Sequence, residues 1–306
     1  MKNKSLFILL ITTTLFFSGC NKTNEDVGAG TTEFQESELS TEFLNTEELN
    51  TETLQTPEIL EFVDAHGEWF ETEINPSVAK HPYNWEYLTN DEAGISYEGD
   101  ENYRIRHGVD VSKWQGDVDW NKVKAAGYDF AILRLGYRGY SEAGGMEVDA
   151  KFYQNIQGAQ AAGLDVGVYF FSQAINEAEA LEEANLVLDA LEGYELELPI
   201  VYDPELIKDM EARTDDVTGE QFTKNTIVFC KAITEAGFLP MIYSNMIWEA
   251  FLFDMEELQI YPFWYADYEN VPQTPYNFVM WQYSETGSVD GISGNVDLNI
   301  LFEPIE

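Results

Sequence analysis

Asp203 and Glu205 close the run Leu198-Pro199-Ile200-Val201-Tyr202-Asp203-Pro204-Glu205, and their type and spacing suit acid–base chemistry. The apolar residues ahead of them read as a buried strand. Alternate strand residues share a face, so both carboxylates point the same way, roughly 6–7 Å apart. Like charges that close, beside a low-dielectric core, push one pKa up. A carboxylic acid that keeps its proton next to an ionised carboxylate is the equipment of glycosidic bond cleavage. Taken alone, the fragment also fits the start of a solvated loop, so its meaning depends on the elements around it.

Those elements follow a regular rhythm from about residue 105. Residues 108–111, 130–135, 166–171, 200–202, 240–243, 262–266 and 278–283 read as strands, and residues 121–126, 150–162, 177–191, 218–236 and 247–251 as helices. Thr218 suits an N-cap, with Gln221 three residues on. Gly127, Gly163 and Gly237 each follow a helical run and suit its C-terminal turn. Strands alternating with helices predict a parallel sheet with right-handed crossovers. Seven or eight such strands in about 200 residues predict a closed or nearly closed barrel, irregular at its end because little helix follows residue 262. In that architecture functional groups gather at the C-terminal ends of strands. Asp110 stands at the first strand, Asp203 and Glu205 at the fourth, and Asp297 near the last. First and last strands are neighbours in a closed barrel, so four carboxylates converge on one mouth. Tyr169, Trp264 and Trp281 occupy comparable positions and complete a sugar cleft, with Gln282 as a polar partner.

The segment His107-Gly108-Val109-Asp110-Val111-Ser112-Lys113-Trp114-Gln115-Gly116-Asp117-Val118-Asp119-Trp120 resembles the opening motif of family-25 glycoside hydrolases, the N-acetylmuramidase-type lysozymes of bacteria and phages. Further matches follow in order: Phe130 to Tyr137, Gly167 to Ser172, Asp203-Pro204-Glu205, Trp264 to Tyr268, Trp281 to Ser284 and Val289 to Asn299. The resemblance spans about residues 105 to 303. It implies an α/β fold, an irregular TIM-like (β/α)5(β)3 barrel, and cleavage of the β-1,4 bond from N-acetylmuramic acid to N-acetylglucosamine in peptidoglycan. It maps the acid/base glutamate onto Glu205, its partner aspartate onto Asp203, and two further active-site aspartates onto Asp110 and Asp297. Asp203 then serves as nucleophile, as base for water, or as support for attack by the sugar's own 2-acetamido group. Pro204 stands where the family usually carries an aliphatic or aromatic residue, and proline brings no N–H to a ladder. The rival expectation is a surface lipoprotein on the same fold that binds wall glycan without cutting it, and a second is an N-acetylglucosaminidase.

The rest of the chain sets the context. Lys2 and Lys4 precede an apolar stretch from Leu6 to Phe17, too short for a stable span. Phe17-Ser18-Gly19-Cys20 resembles a bacterial lipobox, with Phe17 in place of the usual leucine. The expected organisation is a lipoprotein signal peptide over 1–20 with lipidation at Cys20, a disordered acidic Thr/Glu-rich spacer over 21–57, an aromatic-rich extension over 58–104 packing on the barrel, and the catalytic domain over 105–306. The expected location is the extracellular face of a bacterial membrane, lipid-anchored, or secreted. With Cys20 lipidated, Cys230 is left alone in an apolar helical stretch and reads as a structural thiol. His66, His81 and His107 are the only histidines and lack ligand spacing, so no metal or cofactor is expected.

Fifty-six acidic against sixteen basic residues give a formal net charge of -40. Such a chain repels phosphate backbones, which excludes nucleic acid as a partner, and anionic headgroups, which leaves a lipid anchor as its membrane contact. Cell-wall polymers are often anionic too. Hydrolysis of purified wall is therefore expected to rise from low to moderate salt as repulsion is screened; a turbidity assay showing a monotonic fall over that range would contradict this.

Overall fold

A computed structural model of the chain describes residues 56–91, 94–208 and 210–305. Cys20 and nearly all of the spacer lie outside the described residues. Two hairpins come first, β1 (Ile59–Val63) with β2 (Trp69–Glu73), and β3 (Leu88–Asp91) with β4 (Gly94–Tyr97). The barrel follows: β5 (Tyr103–Val111), α1 (Trp120–Ala125), β6 (Phe130–Arg138), a short β7 (Met146–Val148), α2 (Phe152–Ala161), β8 (Asp165–Ser172), α3 (Glu177–Ala190), β9 (Ile200–Pro204), α4 (Gly219–Glu235), β10 (Pro240–Ser244), α5 (Met246–Phe251), α6 (Met255–Leu258), β11 (Phe263–Ala266), β12 (Met280–Gly287) and β13 (Val296–Pro304). Around the barrel the order is β5-β13-β12-β11-β10-β9-β8-β6, closed by β6 on β5, with β7 paired outside β6. Five β/α units thus precede three strands without helices.

The fold departs from an all-parallel barrel at one strand. β13 runs antiparallel to both β12 and β5, so Asp297 reaches the functional rim from the beginning of its strand and not from the end. Three strands are longer than their apolar cores suggested: β5 starts at Tyr103, β6 continues to Arg138, and β12 runs on to Gly287. Ladder hydrogen bonds carry these polar ends, which no apolar run announces. Thr218 caps α4, accepting from Gln221 N at 3.2 Å, and Gly163 and Gly237 hold positive φ of 78° and 90° after their helices. Pro204 stays in the ladder opposite Ser172 at the strand's last position, where a missing N–H costs little. Cys230 is fully buried.

Strand alternation sorts the apolar residues into three groups. Phe130, Ile132, Val201, Met241, Trp264, Met280 and Leu301 fill the barrel. Val109, Leu133, Val168, Ile200 and Tyr202 face outward, under α1 to α4. Ile242, Tyr265, Trp281, Ile300 and Phe302 face outward where helices give out, and there the extension supplies Phe62, Val78, Tyr83, Ile95 and Tyr97. Tyr83 stacks on Phe302 at 3.9 Å and donates its hydroxyl to Phe278 O at 2.6 Å. Asn277 N donates to Ala79 O at 2.9 Å, which ties the two backbones together.

The filled interior leaves no room at Gly108, where an added Cβ would lie 2.1 Å from the Phe130 ring. Gly108→Ala is expected to destabilise the fold by about 1–3 kcal/mol, read as a lower Tm, and Phe130→Leu in the same chain to recover part of it. A Tm unchanged by Gly108→Ala would contradict this packing.

Candidate active site

Above the apolar filling, the next inward-facing layer is polar. Asp110 on β5, Tyr169 on β8, Asp203 on β9, Tyr243 on β10, Trp264 on β11, Gln282 on β12 and Asp297 on β13 all line one cleft of about 600 Å³, joined by Glu205 just past β9. Asp110 and Asp297 sit directly opposite each other in the β5–β13 ladder. Asp203 and Glu205, two apart on an extended backbone, share the inward face. The backbone of Glu205 is held by Gln173, whose Nε2 donates to Glu205 O at 2.6 Å. Gln173 in turn accepts from the Thr214 hydroxyl at 3.1 Å.

The hydrogen bonds distinguish the four carboxylates. Asp110 Oδ1 accepts from Gln282 Nε2 and from Asn299 Nδ2, each at 2.9 Å. The Gln282 amide is fixed because its Oε1 accepts from the hydroxyls of Tyr243 and Tyr268 at 2.9 and 3.0 Å. Asn299 is fixed because its Oδ1 accepts from Trp264 Nε1 at 2.8 Å. Asp203 is buried, and its Oδ1 has no hydrogen-bond partner. Arg134 lies nearby as counter-charge but is committed to Asp149 at 2.7 Å.

Each carboxyl is pushed above the ordinary carboxylate range, with burial the largest cause. Asp203 is raised further by Glu205 and Asp110. Glu205 is pushed up to about 7 by burial and then by Asp110, against the lowering effect of Arg134. Asp297 is pushed up to about 9 by burial, by Asp110's charge and by their shared hydrogen bond. Asp110 is raised by burial, though Asn299 and Gln282 draw it back. Asp110 is thus the best-supplied anion, Asp297 holds a proton against it, and Glu205 titrates near neutrality. Together the four can exchange a proton with a bound molecule at pH 7.

Eight residues were expected to form the site, and seven line the cleft. Trp281 does not. It adjoins Gln282 on β12, so alternation sends it outward, where it is fully buried with Tyr265 and Ile300 and donates Nε1 to Asp267 O at 2.7 Å. Trp264 lies in the floor, edge-on to Tyr169 and Tyr243 at 6.1 and 4.9 Å. Its 1% exposure leaves little face for stacking. Sequence reasoning passed over Tyr243, Tyr268 and Asn299. Asn299 was within reach, since it lies two residues from Asp297 and so shares its face. The turn of the β1–β2 hairpin, from Val63 to Gly67, also lines the cleft, a role that the aromatic content of residues 58–104 allows without locating it at this turn.

Comparison with known proteins agrees with this geometry. The family profile described as "Glycosyl hydrolases family 25" matches residues 109–292. The chain is 30% identical over 210 residues to the protein YegX of Escherichia coli strain K12, covering 65% of this chain and 71% of YegX. It is similar to the crystal structure of the bacterial lysozyme from Streptomyces coelicolor, at 27% identity and a TM-score of 0.53 over 63% of this chain and 90% of that one. In fold it is also similar to the modular autolysin LytC of Streptococcus pneumoniae, at 23% identity and a TM-score of 0.56 over 78% of this chain, which spans 56% of LytC.

Raised carboxyls make stability depend on pH. Below about pH 4 folded and unfolded chains both hold these protons; as pH rises, the unfolded chain sheds them and the folded one resists, so stability falls. For Asp297 the loss continues up to its folded value of about 9. Asp297→Asn is expected to flatten the fall in Tm between pH 5 and pH 9, and to raise Tm at pH 8 by ~2–4 °C, the equivalent of about 1 kcal/mol. A fall as steep as that of wild type would contradict the assignment of that proton.

Proposed function

The chain belongs to glycosyl hydrolase family 25 and is a glycoside hydrolase of the lysozyme type; from that premise we propose that it cuts peptidoglycan at the β-1,4 bond between N-acetylmuramic acid and N-acetylglucosamine, with Glu205 as general acid and base. The observation that carries this is Glu205 itself, open to the cleft beside Asp203 and pushed up to about 7. A group with that pKa holds its proton often enough at neutrality to give it up, and loses it easily enough to take one back.

In the first step Glu205 donates its proton to the glycosidic oxygen as the bond to the anomeric carbon breaks. Positive charge develops on that carbon, facing Asp110, which is held by two amide donors. Asp203 has a buried oxygen without a donor and a carboxyl raised well above its ordinary range. In the state that reacts, the one proton of the Asp203–Glu205 pair sits on Glu205, and the ionised Asp203 is then a stronger base than an ordinary carboxylate; it accepts the N–H of the substrate's 2-acetamido group and takes its proton. The acetamido oxygen then closes on the anomeric carbon. In the second step Glu205, now a carboxylate, takes a proton from water, the water oxygen bonds to the anomeric carbon as the bond from that carbon to the acetamido oxygen breaks, and the acetamido nitrogen recovers its proton from Asp203. Tyr169, Trp264 and Gln282 shape the pocket around the ring. The proposal includes a lipid anchor at Cys20, outside the described residues, which would keep the enzyme on the extracellular face of the membrane near the wall.

Glu205→Gln is expected to lower kcat on purified wall by about 10²–10⁴-fold. The wild-type kcat/KM should fall as pH rises past about 7, the value to which Glu205 is pushed. Mass spectrometry of the released muropeptides should find muramic acid at the new reducing end; N-acetylglucosamine there would overturn the bond assignment, and a Glu205→Gln rate equal to wild type would overturn the acid.

A further inference from the structure

The β1–β2 hairpin lies outside the stretch that the family profile matches, yet its turn walls the cleft together with Lys208. It is held from two sides. Phe62 is fully buried, stacks on Phe70 at 5.5 Å, and both rings pack against Phe251. At the turn the Gln273 side chain accepts from Val63 N at 2.8 Å and donates to Val63 O at 2.9 Å, as a neighbouring strand would. Asp267 holds Gln273, accepting from its backbone N at 2.8 Å. The connection between β11 and β12 therefore grips the hairpin end, and the wall is rigid on both faces.

Asp64 opens the turn. Its Oδ1 accepts from the backbone N–H groups of His66 and Glu68 at 2.8 and 2.9 Å, and its Oδ2 from Lys208 at 3.3 Å. The Asp64 side chain is 5% exposed and that of Lys208 52%. The carboxylate is thus turned inward and occupied by three donors. The ammonium has three protons, of which Asp64 takes one, and it faces the cavity. Among the described residues that line the cleft, Lys208 is the single lysine or arginine, while Glu269 and Glu285 line it too. An anionic group in this cleft is repelled by those carboxylates and meets a fixed positive charge at one place.

We propose that Lys208, held in position by Asp64 of the hairpin, receives a carboxylate of the substrate and so sets which glycan substituents the cleft accepts. This rests on the peptidoglycan substrate proposed above. Muramyl residues offer that carboxylate from two sources: the lactyl group itself where the peptide has been removed, and the carboxyls of the stem peptide where it has not. Lys208 acts on binding and not on bond cleavage, so its removal shows in KM and leaves kcat in place.

The experiment compares the wild-type chain, Lys208→Met and Lys208→Arg on three glycans: intact peptidoglycan, peptidoglycan stripped of its peptides, and intact peptidoglycan with its carboxyls amidated. Lys208→Met is expected to raise KM about 5-fold on at least one of the two carboxylate-bearing glycans, as for a half-exposed ion pair, and less than about 2-fold on the amidated one. Lys208→Arg should behave as wild type, and the three proteins should share one Tm. The glycan showing the loss identifies the source of the carboxylate. Equal KM changes on charged and amidated glycans, or no change on either charged one, would overturn the role of Lys208 while leaving the hydrolase intact. Wild type that releases no muropeptide from any of them would instead overturn the substrate, and this assignment with it.

Discussion

The antiparallel pairing of β13 with β5 is the contact on which the rest depends. It closes the sheet, setting Asp297 opposite Asp110 and Ile300 opposite His107. Reversing the last strand has a chemical consequence. The start of β13 arrives at the same rim as the ends of the parallel strands, so its two inward polar residues, Asp297 and Asn299, enter the carboxylate layer. Asn299 then links Trp264 to Asp110, and Asp297 shares a proton with Asp110. A parallel last strand would present its other end there, with Leu301 and Glu303 in place of these groups.

Closure also creates a packing problem, and its solution reaches the active site. β11 to β13 have no helices over them, yet their outer faces carry Phe263, Tyr265, Trp281, Ile300 and Phe302, all buried. Left bare, these side chains would form an apolar patch of the kind soluble chains cover. Phe62, Val78, Tyr83, Ile95 and Tyr97 of the extension help to cover it, which accounts for the aromatic content there. The same segment runs on to the rim, where Gln273 pins Val63. One piece of chain thus shields the barrel and supplies a wall of the cleft.

Much of this was legible from local pattern. Period-two alternation placed Asp203 and Glu205 on one face, and the loss of helical periodicity after residue 262 announced the bare strands. The same periodicity carried a warning about Trp281. It adjoins Gln282, so the two cannot both face the cleft, but choosing between them required knowing which face is inward. That choice is made by Met280, two residues earlier, which fills the barrel. Tyr243 and Tyr268 were hidden because tyrosine is as common in cores as in sites. The hairpin turn was hidden for another reason: its tie to Gln273 spans 210 positions, and no local pattern encodes a contact of that separation.

The electrostatics of the rim explain why the polar layer sits on so complete a filling. Four acids pushed upward in pKa are four groups the fold would shed if it could, since each is more easily ionised in the unfolded chain. Arg134 offsets part of this for Asp203 and Glu205, but its own pairing with Asp149 restrains it. A fully neutralising cation would return Glu205 to the ordinary carboxylate range and remove its proton at pH 7. Partial compensation is what keeps an acid available, and the stability it sacrifices must come from elsewhere. The layer beneath supplies it: Phe130, Ile132, Val201, Met241 and Met280 fill the barrel to the point where Gly108 has no space for a methyl group. Packing so tight also excludes water from below, and that dryness is the largest cause of the raised pKa values above it.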